Sequence, residues 1–195
     1  MDTRTIFFVG KPGCGKGTQA KLLSEKTGWP VFSSGKLFRA LAAEDTPVGK
    51  KVKFENDAGL LQPHWFAMYF YLKSLFSLSE GASAIFDGFN RKIQETELIM
   101  SSTQWLERPF TVVHIAVSDE AVRERLGKRR EIEGRADDNV VEERLREYEM
   151  HTVPAMEVFT KAGVMIDVNG EQPPEKIAED IRAALGLPVG EAGTA

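Results

Sequence analysis

The sequence holds a single cysteine in 195 residues, only three histidines, and no excess of positive charge. A lone thiol, Cys14, cannot close a disulfide within the chain, so a reducing, cytoplasmic setting is expected. Lysine and arginine number 25 against 29 aspartates and glutamates, giving a net charge of −4. That balance argues against a nucleic-acid partner, so any affinity for phosphate must come from a local cluster of cations. No apolar run approaches the ~20 residues that a membrane crossing needs, and the first residues lack the basic-then-apolar pattern of a secretory signal. A soluble chain without a membrane partner is expected. Internal repeats and low-complexity tracts are missing too. Only residues 188–195, Pro-Val-Gly-Glu-Ala-Gly-Thr-Ala, have the composition of a flexible tail.

What is present is enough apolar material, 42%, to bury one core. Short apolar runs alternate with longer amphipathic stretches, the pattern of a parallel sheet covered by helices on both faces. Strands are expected near 4–9, 30–33, 83–87, 111–117 and 163–168. The fold class is therefore α/β, three-layered, with a five-stranded parallel sheet. In such sheets ligands bind beyond the carboxyl ends of the strands. The segments that fall there are a glycine-rich loop from Gly10, then Ser33-Ser34-Gly35, Asp87-Gly88 and Ser118-Asp119. Gly49, Gly59 and Pro63 interrupt the stretch 45–63, which reads as short helical pieces projecting from the core. The aromatic-rich stretch from Tyr69 to Leu78 reads as a helix packed on the core.

The loop Gly10-Lys-Pro-Gly13-Cys14-Gly15-Lys16-Gly17-Thr18 sits directly between the apolar run Ile6-Phe7-Phe8-Val9 and a helical stretch through Leu22 and Leu23. Glycines let a chain wrap closely round an anion. Backbone N–H groups and the following helix N-terminus then point at a polyphosphate, with the lysine reaching its β and γ oxygens. Strand, loop and helix occur in the order that a P-loop requires, so nucleoside triphosphate binding is expected.

The remaining polar residues fall into ordered groups: Ser34-Gly35 with Arg39, then Asp87-Gly88-Phe89-Asn90-Arg91, then Arg125 and Arg129. Gly134-Arg135-x-Asp137-Asp138-Asn139 follows, and then Arg144-Leu145-x-x-Tyr148 with Thr152 and Pro154. With the loop Gly-x-Pro-Gly-x-Gly-Lys-Gly-Thr-Gln at 10–19, this series resembles the adenylate kinase family of nucleoside monophosphate kinases, from about Thr5 to Leu185. The resemblance implies reversible transfer of the γ-phosphoryl group of Mg-ATP to a nucleoside monophosphate, by a monomer with two mobile flaps on a P-loop core. The core would be 1–33, 64–128 and 137–187, the monophosphate flap 34–63 and the lid 129–136. So short a lid, without cysteine or histidine, implies no structural zinc.

The same resemblance assigns roles. The donor's phosphates would meet Gly13, Cys14, Gly15, Lys16, Gly17 and Thr18, with Arg125 against the donor base and Gln172 at the edge of its pocket. The acceptor would meet Ser34, Gly35, Arg39, Gly88 and Arg91, with Gln94 or Glu95 at its base. Arg129, Arg135 and Arg144 would close over the group in transfer, completing with Lys16 and Arg91 the catalytic set. Two anionic nucleotides in one cleft demand such cations, and arginine's planar fork suits phosphate oxygens while keeping its charge. Asp87 looks like the carboxylate that holds magnesium through water, with a strand-end cap as its plainer role. Asp137 and Asp138 could position the arginines, cap a helix, or both.

Three departures from the family pattern matter. Asn90 stands where a proline is usual. A glutamine is expected four residues after Arg91, yet Gln94 comes one place early and Glu95 holds that position; adjacent helix residues differ by roughly 100°, so only one can face the base. A carboxylate there would suit guanine better than adenine. Finally, the segment after Asn139 is two residues short, leaving Arg144 or Arg146 for one role, with Arg144 favoured by the spacing to Leu145, Tyr148, Thr152 and Pro154. Adenylate kinase activity is the leading expectation. A kinase for GMP or a pyrimidine monophosphate, or a nucleotide-binding regulator impaired in turnover, are the alternatives.

Overall fold

The computed structural model of the chain describes residues 3–134 and 136–188. Of the tail expected at 188–195, all but Pro188 lies outside them, as does Arg135.

Five parallel strands, β1 (Thr5–Val9), β2 (Val31–Ser33), β3 (Ala84–Asp87), β4 (Phe110–Ala116) and β5 (Met165–Asn169), lie in the order β2-β3-β1-β4-β5. β1 is central, flanked by β3 and β4. Its side chains alternate between two apolar faces. Phe7 and Val9 join one core cluster with Phe86, Tyr71 and Phe159, while Ile6 and Phe8 join a second with Leu23, Ile115 and Ile181. Both faces being buried is why β1 and β3 read as nearly unbroken apolar runs rather than as alternating ones.

Helices α1 (Lys16–Thr27) and α9 (Pro174–Ala184) cover the second face. On the first lie α2 (Ser34–Ala42), α4 (His64–Phe76), α5 (Ile93–Trp105) and α8 (Val153–Lys161). Between α2 and α4, the interrupted stretch forms α3 (Pro47–Asp57), begun by Pro47 and by Thr46, whose Oγ1 accepts from Gly49 N at 2.9 Å. α6 (Asp119–Glu133) starts at Ser118, with Asp119 and Glu120 in its first turn. It stops at Gly134, which takes the left-handed conformation at φ 62°. A 3₁₀ turn (Ala136–Asn139) leads to α7 (Val141–Glu147), which runs through a π turn (Tyr148–Thr152) into α8. Pro154 heads α8. Its missing N–H denies the preceding turn an ordinary α bond, and the widened π turn lies just before it.

Of the segment expected as a lid, residues 129–133 continue α6, which runs unbroken to Glu133. The aromatic helix α4 is only half core, since Tyr71 is buried while Tyr69 and Phe76 face outward. Among the described residues no helix is long and apolar enough to cross a membrane.

Phe86 is fully buried and stacks on Phe7 at 5.1 Å and Phe32 at 5.2 Å between ring centres. Phe86→Ala should lower unfolding stability by about 3–5 kcal/mol in urea titrations. Trp105→Ser, at an exposed aromatic position, should cost about 0.5 kcal/mol.

Candidate active site

At the carboxyl end of β1 the chain turns through Gly10, Gly13 and Gly15, all at positive φ. Two of these glycines are also required by space. A Cβ on Gly10 would stand 2.7 Å from the Ile115 carbonyl oxygen, and one on Gly13 would stand 2.9 Å from Leu126 Cδ2. Lys16 opens α1 and folds back over the loop, its Nζ donating to the carbonyls of Gly10 at 2.7 Å and Lys11 at 2.9 Å. The loop thus holds an ammonium above its own backbone.

Beside this loop a cavity of about 910 Å³ opens along the carboxyl edge of the sheet, reaching α2 and α3. Gly13, Gly15, Lys16, Gly17 and Thr18 line it, as do Arg125, Arg129 and Arg144. Asp87, at the end of β3, accepts from Ser33 Oγ at 2.9 Å and stands 3.8 Å from where a Cβ on Gly17 would be. Arg125 ties the loop to the segment after β5, donating to the carbonyls of Cys14 at 3.2 Å and Gly170 at 2.7 Å.

Arg129 on α6 and Arg144 on α7 share one carboxylate. The Asp138 side chain is wholly buried between them. Arg129 Nε donates to its Oδ2 at 2.7 Å and Nη2 donates to its Oδ1; Arg144 Nη1 donates to the same Oδ1 at 2.8 Å and lies 2.9 Å from Asp137 Oδ2. Burial disfavours charge on Arg129, yet the paired Asp138 outweighs it and holds the guanidinium more firmly protonated than usual. For Arg144 burial prevails, aided by the nearby charges of Arg129 and Arg91, and its pKa is lowered despite Asp137 and Asp138. Asp137 and Asp138 do not cap α7, whose first turn follows Val140 without a side-chain cap. Of the two roles weighed for this acidic pair, only the grip on the arginines is seen.

The other half of the cavity is built on α2 and the stretch after β3. Guanidinium groups lie over glycines here. A Cβ on Gly35 would be 3.2 Å from Arg39 Nη1, and one on Gly88 would be 2.6 Å from Arg91 Nη2. Gly88 also needs its φ of 78°. Ser34 donates its hydroxyl to the Gly88 carbonyl at 2.6 Å, clamping these two segments together. Glu95 is 3% exposed. Its Oε2 accepts from Arg91 N at 2.6 Å and Lys92 N at 3.2 Å, which closes the first turn of α5 and fixes the backbone that presents Arg91. Burial pushes the Glu95 carboxyl up to about 7, although those two N–H groups and the charges of Arg91 and Lys92 pull the other way. Phe38, Leu60 and Leu61 give this half apolar walls.

Several sequence expectations need correction. Gln94 is exposed and does not line the cavity, whereas Glu95 does; capping turns position 95 inward and its neighbour out. Cys14 is fully buried in the core, so its side chain does not line the cavity, and its N–H bonds Lys11 within the loop. Gln172, expected to offer its backbone to the donor base, has its side-chain amide tied to the Asn169 carbonyl and Asp180, outside the cavity lining. Arg144 lines the cavity with 18% of its side chain exposed, while Arg146 is 63% exposed and pairs with Glu143. The cavity is also lined by residues with no motif to mark them, Leu60, Leu61 and Glu147, the last accepting through its carboxylate from Leu61 N at 3.0 Å. Gly59 offered a clue, since a Cβ there would meet Val140 and Arg144. Asn90, read only as a missing proline, is buried with neither amide atom partnered.

A glycine loop leading from a central parallel strand into a helix, facing a cavity lined by guanidinium groups, defines a P-loop phosphotransferase. The sequence model of the family described as "Adenylate kinase" matches residues 8–164. Among curated proteins, the chain is 34% identical over 189 residues to an adenylate kinase of Thermus thermophilus, covering 94% of this chain and 98% of that one. It is 35% identical over 184 residues to an adenylate kinase of Synechococcus, covering 92% and 95%. Adenylate kinase 1 of Nostoc is 33% identical over 187 residues, covering 93% and 98%. The chain belongs to the adenylate kinase family and is an ATP-dependent nucleoside monophosphate kinase.

Asp138→Asn keeps the shape of the junction but removes the buried charge shared by two partly buried arginines. It should cost about 3–5 kcal/mol in thermal or urea unfolding. Glu95 makes a second, pH-linked prediction. Its folded pKa, about 7, lies above the ordinary 4.5, so the native state binds the proton more tightly. The resulting stability is complete below about 4.5 and is lost as pH rises through about 7, some 3 kcal/mol in all. Urea midpoints from pH 4.5 to 8 should show this decline in the wild type and not in Glu95→Gln.

Proposed function

We propose that the chain transfers the γ-phosphoryl group of Mg-ATP reversibly to AMP, giving two ADP. The observation that supports this best is that Lys16, Arg39, Arg91, Arg129 and Arg144 line one cavity at the carboxyl edge of the sheet. The named relatives, all adenylate kinases, favour AMP as the acceptor.

In this reading the loop amides and Lys16 hold the donor's β and γ phosphates, with Arg125 beside the donor base. Arg39 and Arg91 hold the acceptor's phosphate. Arg129 and Arg144, joined by Arg135, neutralise the charge that spreads over the equatorial oxygens during transfer. Asp87 and the Ser33 hydroxyl are hard oxygen donors beside Gly17, a set that suits Mg²⁺ held through water. When bound, that ion would neutralise phosphate charge and orient the β and γ oxygens. The flap at 34–63 and the lid at 129–136 would close to keep water from the phosphoryl group.

A second acceptor, GMP, is favoured by one observation: the cavity is faced by Glu95 and not by Gln94. An ionised carboxylate accepts from guanine's N1–H but cannot donate to adenine's N1.

A coupled assay with Mg-ATP against AMP, GMP, CMP and UMP tests the proposal. AMP turnover is expected, and turnover with none would leave a nucleotide-binding protein without this activity. Arg144→Ala should lower kcat by roughly 10³–10⁵, equivalent to about 4–7 kcal/mol of barrier. Arg146→Ala should stay within about twofold, as its guanidinium faces solvent.

A further inference from the structure

The acceptor half of the cavity has apolar walls, Phe38, Leu60 and Leu61, with Glu95 in the lining beside them. Glu95 is asymmetric. Oε2 is committed to two backbone N–H groups, whereas Oε1 takes no hydrogen bond among the described residues and is not sealed from the cavity. Two N–H donors on Oε2 exclude a proton from that oxygen, so a protonated Glu95 carries its proton on Oε1. The oxygen that meets a ligand is therefore a donor in the acid form and an acceptor in the ionised form.

Purine monophosphates differ in the same sense at one atom. N1 of adenine accepts a hydrogen bond, while N1 of guanine carries a hydrogen and donates. Resting on the reading above, in which this half takes the acceptor nucleotide, we propose that Glu95 selects the purine by its protonation state: the acid form pairs with AMP, the carboxylate with GMP. A glutamine would offer its amide N–H at all pH values and so favour adenine throughout. Glu95 instead makes one site able to read either base.

Geometry supports this assignment. The carboxyl is 3% exposed, held in place by Arg91 N and Lys92 N, and turned to the cavity. Burial brings its titration to about neutral pH. The charges around it do not all favour one form. Arg91 and Lys92 on its own stretch favour the carboxylate. Across the cavity stand Arg39 of α2, Lys53 and Asp57 of α3, Asp87 of β3, and Arg144 and Glu147 of α7, cations and carboxylates together.

The test is kcat/KM for AMP and for GMP with saturating Mg-ATP, measured from pH 6 to pH 8.5 on the wild type and Glu95→Gln. The nucleotides' own phosphate titration is common to both and cancels in the ratio. For the wild type the AMP/GMP ratio should fall by about 100-fold between pH 6 and pH 8, because the acid form declines about tenfold while the carboxylate grows about tenfold. Glu95→Gln should hold a flat ratio near the wild type's low-pH value. A flat wild-type ratio with AMP turned over would overturn this inference and leave the proposed function standing. Failure to turn over either purine at any pH would overturn the proposed function itself. A merely structural Glu95 would move both substrates together and leave the ratio constant.

Discussion

Like charges must be held together before their ligands arrive, and the cleft is organised around that constraint. Two guanidinium groups about 5 Å apart repel by roughly 3 kcal/mol at an effective dielectric of about 20. Asp138, buried between Arg129 and Arg144, offsets this repulsion with one carboxylate gripped from both sides. Lys16 meets a different counter-charge, the partial negative ends of the Gly10 and Lys11 carbonyls. Arg39 and Arg91 lie over Gly35 and Gly88, where the absence of a side chain gives the guanidinium its room. Each device fixes a cation's direction as well as its position. Phosphate oxygens arriving in the cleft would therefore meet cations that need little reorganisation, which is where electrostatic catalysis obtains most of its effect.

The backbone follows from the same demand. Parallel strands deliver all five carboxyl ends to one edge, so residues far apart in sequence reach one space through short loops. β1 lies at the centre because its loop has to face both halves of the cavity. Apolar side chains on both faces of the sheet make that edge a rigid base, and the glycines at 10 and 13 let the loop approach β4 and α6 without displacing them. The helices that carry Arg129 and Arg144 are joined through the turn holding Asp137 and Asp138, so the acidic pair and the arginines it serves fold as one local unit.

Much of this was legible in the sequence because it depends on local rules. All five strands begin and end within two residues of their expected limits, since buried strands bounded by glycine and polar residues announce themselves. Ordered motifs pointed to the cavity for the same reason: loop, strand end and helix start are each short-range patterns. What sequence could not supply was side-chain direction. Gln94 against Glu95 was a question of helix phase, decided by a hydrogen bond from Arg91 N to the Glu95 carboxyl that no composition reveals. Arg144 against Arg146 turned on the placement of a buried aspartate six residues away. Cys14 and Gln172 lie where family spacing leads, yet the first side chain turns into the core and the second bonds its own loop.

The two halves of the cavity differ in how completely they satisfy their own groups. On the donor side Lys16, Arg125, Arg129 and Arg144 all have oxygen partners at hydrogen-bonding distance. On the acceptor side the stretch from Asp87 to Glu95 concentrates exceptions: a glycine at φ 78°, a buried Asn90 with neither amide atom bonded, and a largely buried carboxyl at a place where charge is costly. An unpaired buried amide costs about 1–3 kcal/mol, and burying a carboxylate costs more unless it takes up a proton. A stretch serving only to join β3 to α5 would have no need of an unpaired buried amide or of a carboxyl placed where charge is costly. Their presence together in this one stretch bordering the cavity marks it as the place where stability yields to recognition, because local rules are broken where a ligand completes them.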